Sequence, residues 1–388
     1  MSLFVEFHLI QNFAPSNLNR DDTGAPKDAL FGGYRRARVS SQCQKKNVRD
    51  WFKSSDLLGN EVIGVRTRYL DRLLETELKA IGLQDCSLFN EVVKLSAKSK
   101  KKSDEQDKAA DKEDSGEKAL SYLLFVSATE VESFRAVIAE HAESLLALAG
   151  KKKIKPTDIP DALKKDTLAC LARSRAVDIA LFGRMLADLR SANQYAACQV
   201  AHAISTHKVE REFDYFTAVD EALRPDESGA AMINYTEFNS ATFYRYAVVD
   251  AGKLRSNLQG DRELTLAALK AFTQAMVRAI PTGKQNTFAA HNLPAFVGVC
   301  LRHASPINLA NAFESPVRPQ ADKSLTEQSV QAMAEHEGKL ANVYADARDR
   351  WAVLDLSTAW PQGKGEALAN LDALASWVSE QVAAELEG

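Results

Sequence analysis

The sequence predicts an α+β protein, a sheet of short strands joined by helices and interrupted by two long insertions. Apolar residues alternate at period two in runs at 3–10, 176–182, 242–249 and 295–301, the pattern of half-buried strands. Between these runs apolar residues recur at helical spacing behind polar capping residues. With the two longest intervening stretches removed, the order is strand, helix, strand, strand, helix, strand, which is that of a ferredoxin-like or RRM-like fold. At 388 residues and 45% apolar content, the chain can bury a large core and has room for more than one domain.

Taken in order, the run LFVEFHLI at 3–10 puts Leu3, Val5, Phe7 and Leu9 on one face and Phe4, Glu6 and His8 on the other. No partner stands at metal spacing from His8, which reads as a sheet-face histidine. Ser40 or Ser41 caps a helix on which Gln42, Lys45, Lys46, Arg49 and Lys53 form a cationic ridge opposite Val48, Trp51 and Phe52. Residues 62–81 read as one helix with Leu70, Leu74, Leu78 and Ile81 in a stripe and Gly82 as its C-cap; a short helix follows Asp85. Residues 96–118 mix both charges without a large apolar side chain and read as a disordered loop. Ser127 and Glu130 match a capping box for a helix ending near Ala149, and Thr157 is expected to cap another over 158–171. The run AVDIALF at 176–182 reads as the second strand, TFYRYAVV at 242–249 as the third and AFVGVCL at 295–301 as the fourth. Asp261 caps a helix to Ile280, stopped by Pro281. Helices are expected near 325–350 and 366–386, covering the sheet or meeting a neighbouring subunit.

The stretch 17–49 is strongly one-sided, with eight cations (Arg20, Lys27, Arg35, Arg36, Arg38, Lys45, Lys46, Arg49) against Asp21, Asp22 and Asp28. A net charge of −3 means that basic character is local. An arginine-rich loop running into a helix N-terminus suits a polyanion, because backbone N–H groups and side-chain cations converge on the same phosphates. The RRM aromatic signature is absent. Single-strand binding here therefore calls for a cationic groove with apolar wedges, for which Lys45, Lys46 and Arg49, Arg184 with Met185, and Lys284 with Gln285 are the candidates.

Catalytic and metal motifs are lacking: Gly283-Lys284 has no upstream P-loop glycine, no H-E-x-x-H or paired-cysteine motif occurs, and His202 and His207 are badly spaced for one helical face. No cofactor is expected. The pair Asp21-Asp22 offers an alternative, a metal-dependent RNA-cleaving loop, against which stands a role in orienting Arg20 and Lys27. Five cysteines, none in C-x-x-C spacing, indicate a reducing cytoplasm. No apolar run is long enough to cross a membrane and no secretory leader pattern opens the chain.

The segments LNRDD at 18–22, KDALFGG at 27–33, RRARVSSQ at 35–42, VDIALFGRM at 177–185, AHAISTHKVEREFDYFTAVDE at 201–221, FYRYA at 243–247, PTGKQNTFA at 281–289 and LANAFE at 309–314 resemble, in order, the CasC family. These are RAMP-superfamily backbone subunits of the type I-E CRISPR complex Cascade. The resemblance implies an RRM-like palm with a large helical fingers insertion and a thumb hairpin insertion. On this sequence the palm falls at 1–56 and 241–388, the fingers at 57–174, a palm strand and wedge at 175–192 and the thumb at 193–240. It implies no nuclease activity, and as partners CRISPR guide RNA, further copies of the chain, other Cascade subunits and, through the guide, target DNA. It assigns the guide backbone to Gln42, Lys45 and Arg49, with Lys46 adjacent and Arg20, Lys27 and Ser40 along the path. Met185 would be the wedge between bases. Tyr215-Phe216 would be the thumb's aromatic pair, where the family typically has Trp-Phe.

Overall fold

The computed structural model describes residues 3–97, 119–120, 123–151, 153–172, 174–186, 192–219 and 230–387. The chain forms two compact units, one of residues 1–55, 198–252 and 266–388, the other of 56–197 and 253–265. The expected disordered loop at 96–118 falls, from residue 98 on, outside the described residues.

The first unit opens with β1 (Phe4–Ser16), β2 (Asp28–Phe31), β3 (Tyr34–Val39) and α1 (Ser41–Ser54). The second contributes β4 (Val65–Thr67), α2 (Leu70–Leu73), α3 (Glu75–Ala80), α4 (Ser87–Ala97), β5 (Leu124–Val126), α5 (Ala128–Glu140), α6 (Ala142–Ala149), α7 (Asp161–Ala169) and α8 (Val177–Phe182). Then follow β6 (Cys198–Val200), β7 (Ala203–Ser205), β8 (Glu212–Val219), β9 (Ala230–Asp250), α9 (Ala251–Asn257), α10 (Arg262–Arg278), α11 (Gln285–Phe288) and β10 (Phe296–Arg302). The chain closes with α12 (Leu325–Tyr344), β11 (Arg350–Asp355), β12 (Glu366–Ala367) and α13 (Leu371–Glu385).

The sheet runs β12-β11-β10-β1-β9-β7-β3-β2, with β6 and β8 also on β9. Its centre, β10-β1-β9-β7, is the 4-1-3-2 order of a ferredoxin-like fold, so the α+β, RRM-like architecture is present. The second strand is not where the sequence pattern puts it. Residues 177–182 are helical, closed by Gly183 at φ +79°, and the second-strand position is filled by β6 and β7. Val177, Asp178, Ile179, Ala180 and Leu181 are all buried. With every side covered, apolar alternation carries no information about period. Residues 198–205 of the expected thumb thus belong to the sheet, and 177–182 belong to the helical unit.

Other boundaries shift for local reasons. The expected helix 62–81 is broken into a 3-10 turn, β4, α2 and α3, with Thr67 Oγ1 taking the Tyr69 N–H at 2.8 Å, although Leu70, Leu74 and Leu78 remain a fully buried stripe. Pro160 delays the next helix to Asp161, leaving Thr157 in a 3-10 turn. The last helix starts behind Asn370, whose Oδ1 accepts the Ala373 N–H at 2.9 Å, while Glu366 lies in a strand. Ser127 and Glu130 do form the capping box, and Asp261 Oδ1 accepts the Leu264 N–H at 3.0 Å ahead of α10.

Both faces of the sheet are covered. Phe7 packs edge-on to Phe272 of α10, with ring centroids 5.2 Å apart. On the other face Ile10, Tyr244, Tyr246 and Phe296 pack with Leu309, Phe313, Val330 and Met333 around α12. The surface on which an RRM stacks bases is therefore closed in this chain, which explains why the aromatic signature is missing.

Within that layer Glu6, fully buried, accepts from Arg302 Nε at 2.7 Å, Tyr246 Oη at 3.1 Å and the Ile307 N–H. His8 Nδ1 lies 2.9 Å from Tyr244 Oη, the sheet-face role its sequence predicts. Burial pushes the Glu6 carboxyl up, but its bonds and charge contacts with His8, Arg302 and the Ile307 N–H hold it below its ordinary value of 4.5. A depressed folded-state pKa contributes stability that is present above pH 4.5 and lost as pH falls through the folded value. Glu6→Gln is expected to flatten that acid limb in chemical denaturation followed against pH; an unchanged limb assigns it to other carboxylates.

Candidate nucleic-acid interface

The cationic stretch builds a cleft from three segments of the first unit. Its floor begins at the loop after β1, where Asp21 Oδ1 accepts from Thr23 N–H at 2.9 Å, Thr23 Oγ1 at 2.7 Å and Ala25 N–H at 3.0 Å. These bonds, Thr23 Oγ1 first, hold the carboxyl below its ordinary range. Asp21 therefore shapes the turn itself; the expected pairing with Arg20 or Lys27 is replaced by backbone and hydroxyl donors, as Asp residues in tight turns commonly do. Buried Asn17 donates Nδ2 to the Gly24 carbonyl at 3.0 Å and to the Glu237 carbonyl at 2.9 Å.

The wall is α1. Ser40 is its N-cap, accepting from Cys43 N–H through Oγ while its own N–H donates to Asn19 Oδ1 at 2.8 Å. Being 5% exposed, Ser40 fixes loop to helix. The third segment is 282–283, drawn against the loop so closely that a Cβ on Gly283 would stand 2.4 Å from the Leu18 carbonyl oxygen. Leu18, Asn19, Arg20, Asp21, Asp22, Gly24, Cys43, Lys46, Asn47, Thr282 and Gly283 line a cavity of about 470 Å³.

The candidates part company here. Arg20, Gln42 and Lys46 are exposed, Lys46 pairing with Asp50 one turn on, and Lys27 and Lys45 are half-buried. Arg49 is buried at 7% exposure, which corrects its place on the outer ridge; the exposed stripe is Gln42, Lys46, Asp50 and Lys53. Lys284, at φ +51°, heads α11, and Gln285 Nε2 staples the turn by donating to the Pro281 and Ala290 carbonyls at 2.9 and 3.1 Å. Arg38 donates Nε to the Asp28 carbonyl at 3.0 Å and has Nη1 3.2 Å from His202 Nδ1. Burial first, then Arg38 and Lys27, push the His202 imidazole below its ordinary pKa, a sign of local positive potential.

Arg184 is not available to a ligand. It is 6% exposed inside the second unit, bonded through Nη1 to Glu130 at 2.8 and 2.9 Å and to the Phe125 carbonyl at 2.9 Å. Its Nε and Nη2 serve the Ala192 and Leu171 carbonyls at 3.1 and 2.5 Å. Next to it, Met185 stands 85% exposed, so the G-R-M motif combines an internal anchor with a projecting thioether.

β8 and β9 extend from the sheet as a two-stranded ribbon. Its root is tied to β2 by Arg211, which pairs with Asp28 at 2.7 Å and, across the ribbon, with Glu237 at 3.1 Å. Tyr215 and Phe216 are both exposed, and as neighbours on a strand they point to opposite faces. Tyr215 lies opposite Tyr235, whose ring centroid is 6.2 Å from that of Phe213. Three aromatics therefore share one face and Phe216 occupies the other. The sequence reading missed Tyr235 because cross-strand register is invisible without knowing the hairpin. It also missed the hairpin β2/β3, turned by Gly32 and Gly33 at φ +58° and +81°; Gly-Gly suits such a turn, but the arginines of β3 hid the strand that follows it.

Among the described residues one cluster of metal-ligating types occurs, Glu140, His141 and Asp166 in the second unit, away from Asp21 and Asp22 in sequence and unit. No described helix is long and apolar enough to cross a membrane.

Fold and cleft together define an RRM-like α+β protein with a closed sheet, an inserted helical unit, a projecting ribbon and a cleft at the head of α1 that carries Arg20 and Lys46 beside Asp21 and Asp22. The chain belongs to the CT1975-like protein family (Cas_CT1975), which it matches over residues 5–379. It is similar to a chain of a structure described as a CRISPR RNA-guided surveillance complex, pre-nicking, with 32% identity, 97% of this chain and 99% of that one covered, and a TM-score of 0.82. A chain of a second CRISPR RNA-guided surveillance complex shares the fold at 24% identity and TM-score 0.61, over 98% of this chain and 99% of that one. No curated protein matches it.

Proposed function

We propose that this chain is the guide-RNA-binding backbone subunit of a type I-E Cascade surveillance complex, several copies polymerising along one CRISPR RNA and presenting it to target DNA. The observation that carries the reading is end-to-end similarity, at 32% identity, to a chain of a CRISPR RNA-guided surveillance complex, joined to a cleft lined by Arg20 and Lys46 that is built by the 17–49 stretch, where eight cations meet three acids in a protein of net charge −3. Such a subunit must hold any guide sequence. It grips phosphate and leaves base edges free, and a closed sheet with an edge cleft suits that task better than an open stacking platform. The other Cascade subunits are its protein partners, and the work is done in the cytoplasm. We propose no enzymatic role: Asp21 is committed to its turn by three hydrogen bonds.

The ribbon supplies the spacing. Each stacked base contributes about 1–3 kcal/mol, and because Tyr215 and Phe216 face opposite sides, their alanine variants are expected to weaken binding additively. In light scattering, mass should grow in steps with the length of single-stranded RNA, and a ribbon shortened to a tight turn should still bind short RNA yet lose the steps. RNA cleaved by the wild type with Mg²⁺ or Mn²⁺ would support the loop-aspartate nuclease instead. A single copy on every RNA length would refute the backbone role.

A further inference from the structure

Beneath the cleft wall lies a buried arginine that no carboxylate among the described residues pairs with. Arg245, 5% exposed on β9, donates Nε to Gln44 Oε1 at 3.2 Å and Nη1 to Gln11 Oε1 at 2.6 Å. Arg184 has the Glu130 carboxylate and Arg302 has Glu6 and Asp349, whereas Arg36, like Arg245, meets neutral oxygens, the Ser205, Phe313 and Glu314 carbonyls, but none of these lies on α1. Among the described residues no carboxylate pairs with Arg245, and it has only two neutral amide oxygens. Buried charges are ordinarily paired, and burial lowers this guanidinium to about 10. It remains a full positive charge at neutral pH.

Its position is informative. Gln44 sits on α1 between Cys43 and Lys45, and its Nε2 donates to the Ala201 carbonyl at 2.8 Å. Cys43, which lines the cleft, feels the charge of Arg245 together with those of Lys46 and Lys27. The same field therefore reaches the cleft wall from inside. We infer that Arg245 is a positioning residue of the polyanion site, its charge left without an internal counter-ion because the bound phosphate backbone supplies one from outside. It acts through the wall by its field, and through Gln44 it seats α1. This rests on the RNA-binding reading above for the identity of the anion, but not for the charge effect itself.

The test uses the full chain as wild type, Arg245→Met and Arg245→Lys, with fluorescein-labelled single-stranded RNA, a heparin column and thermal melting. Arg245→Met is expected to melt at or above the wild-type temperature, since an uncompensated buried charge is removed. It should bind RNA about tenfold more weakly at low salt, and Arg245→Lys should stay within about threefold of wild type. Should Arg245→Met fail to fold, Arg245→Gln takes its place. Wild-type affinity in the neutral variant overturns the inference, as does equal loss in both variants with lowered melting, which assigns Arg245 to hydrogen bonding alone. A wild type that ignores RNA refutes the functional reading; the inference is then decided by heparin, with earlier elution of the neutral variant supporting it and unchanged elution refuting it.

Discussion

Arg184→Ala is expected to destabilise the helical unit by about 3–5 kcal/mol, because it leaves the buried Glu130 carboxylate without its partner. At roughly 2–4 °C per kcal/mol for a unit of this size, melting should fall by roughly 10 °C. Burial already pushes the Glu130 carboxyl up in spite of Arg184, so removing the guanidinium leaves it to protonate or unfold the surrounding turns. Three backbone carbonyls, of Phe125, Leu171 and Ala192, lose their donor as well. Pairing Arg184→Met with Glu130→Gln should recover most of the loss, since both charges leave together. If Arg184→Ala instead melts like the wild type and loses only RNA affinity, the residue belongs to the interface after all.

Reversing the exposed cations of the cleft should do the opposite. Arg20→Glu with Lys46→Glu is expected to lower RNA affinity on the order of 10²-fold at low salt and to shallow the slope of affinity against salt, since each lost phosphate contact removes counterion release. Melting should hardly move, because Arg20 is exposed and the exposed Lys46–Asp50 pair is worth at most about 1 kcal/mol. Reversal of Lys45 with Arg49 would give a confounded result, as Arg49 is buried and a glutamate there would disturb α1 itself. Unchanged binding in the Arg20/Lys46 variant would move the polyanion site elsewhere.

The fold class was legible because strand order survives insertions: β1, β9, β10, α1 and α10 stand where their periodicity and caps put them. The second strand was not, because a fully buried helix such as α8 offers no polar face to reveal its period. In the cleft, the loop and α1 could be read from charge, but the fate of each cation could not. Lys46 and Arg49 are three residues apart on one helix, and only packing decides that one meets solvent and the other the interior. The closure of 282–283 onto the loop at 17–18 rests on a backbone approach that leaves no mark in a single sequence beyond a glycine.

The central position of β1 has a consequence for biogenesis. This strand pairs over its length with β9, more than two hundred residues downstream, and with β10 later still, and its Glu6 waits for Arg302. Made long before its partners, it exposes Val5, Phe7 and Leu9 until β9 and β10 have been synthesised, whereas most of the helical unit is one stretch, 56–197, that can condense as it appears. Distant pairings form slowly and leave strand edges open to misassociation. Early termination within β10 should accordingly yield a folded helical unit attached to an aggregation-prone, chaperone-dependent remainder.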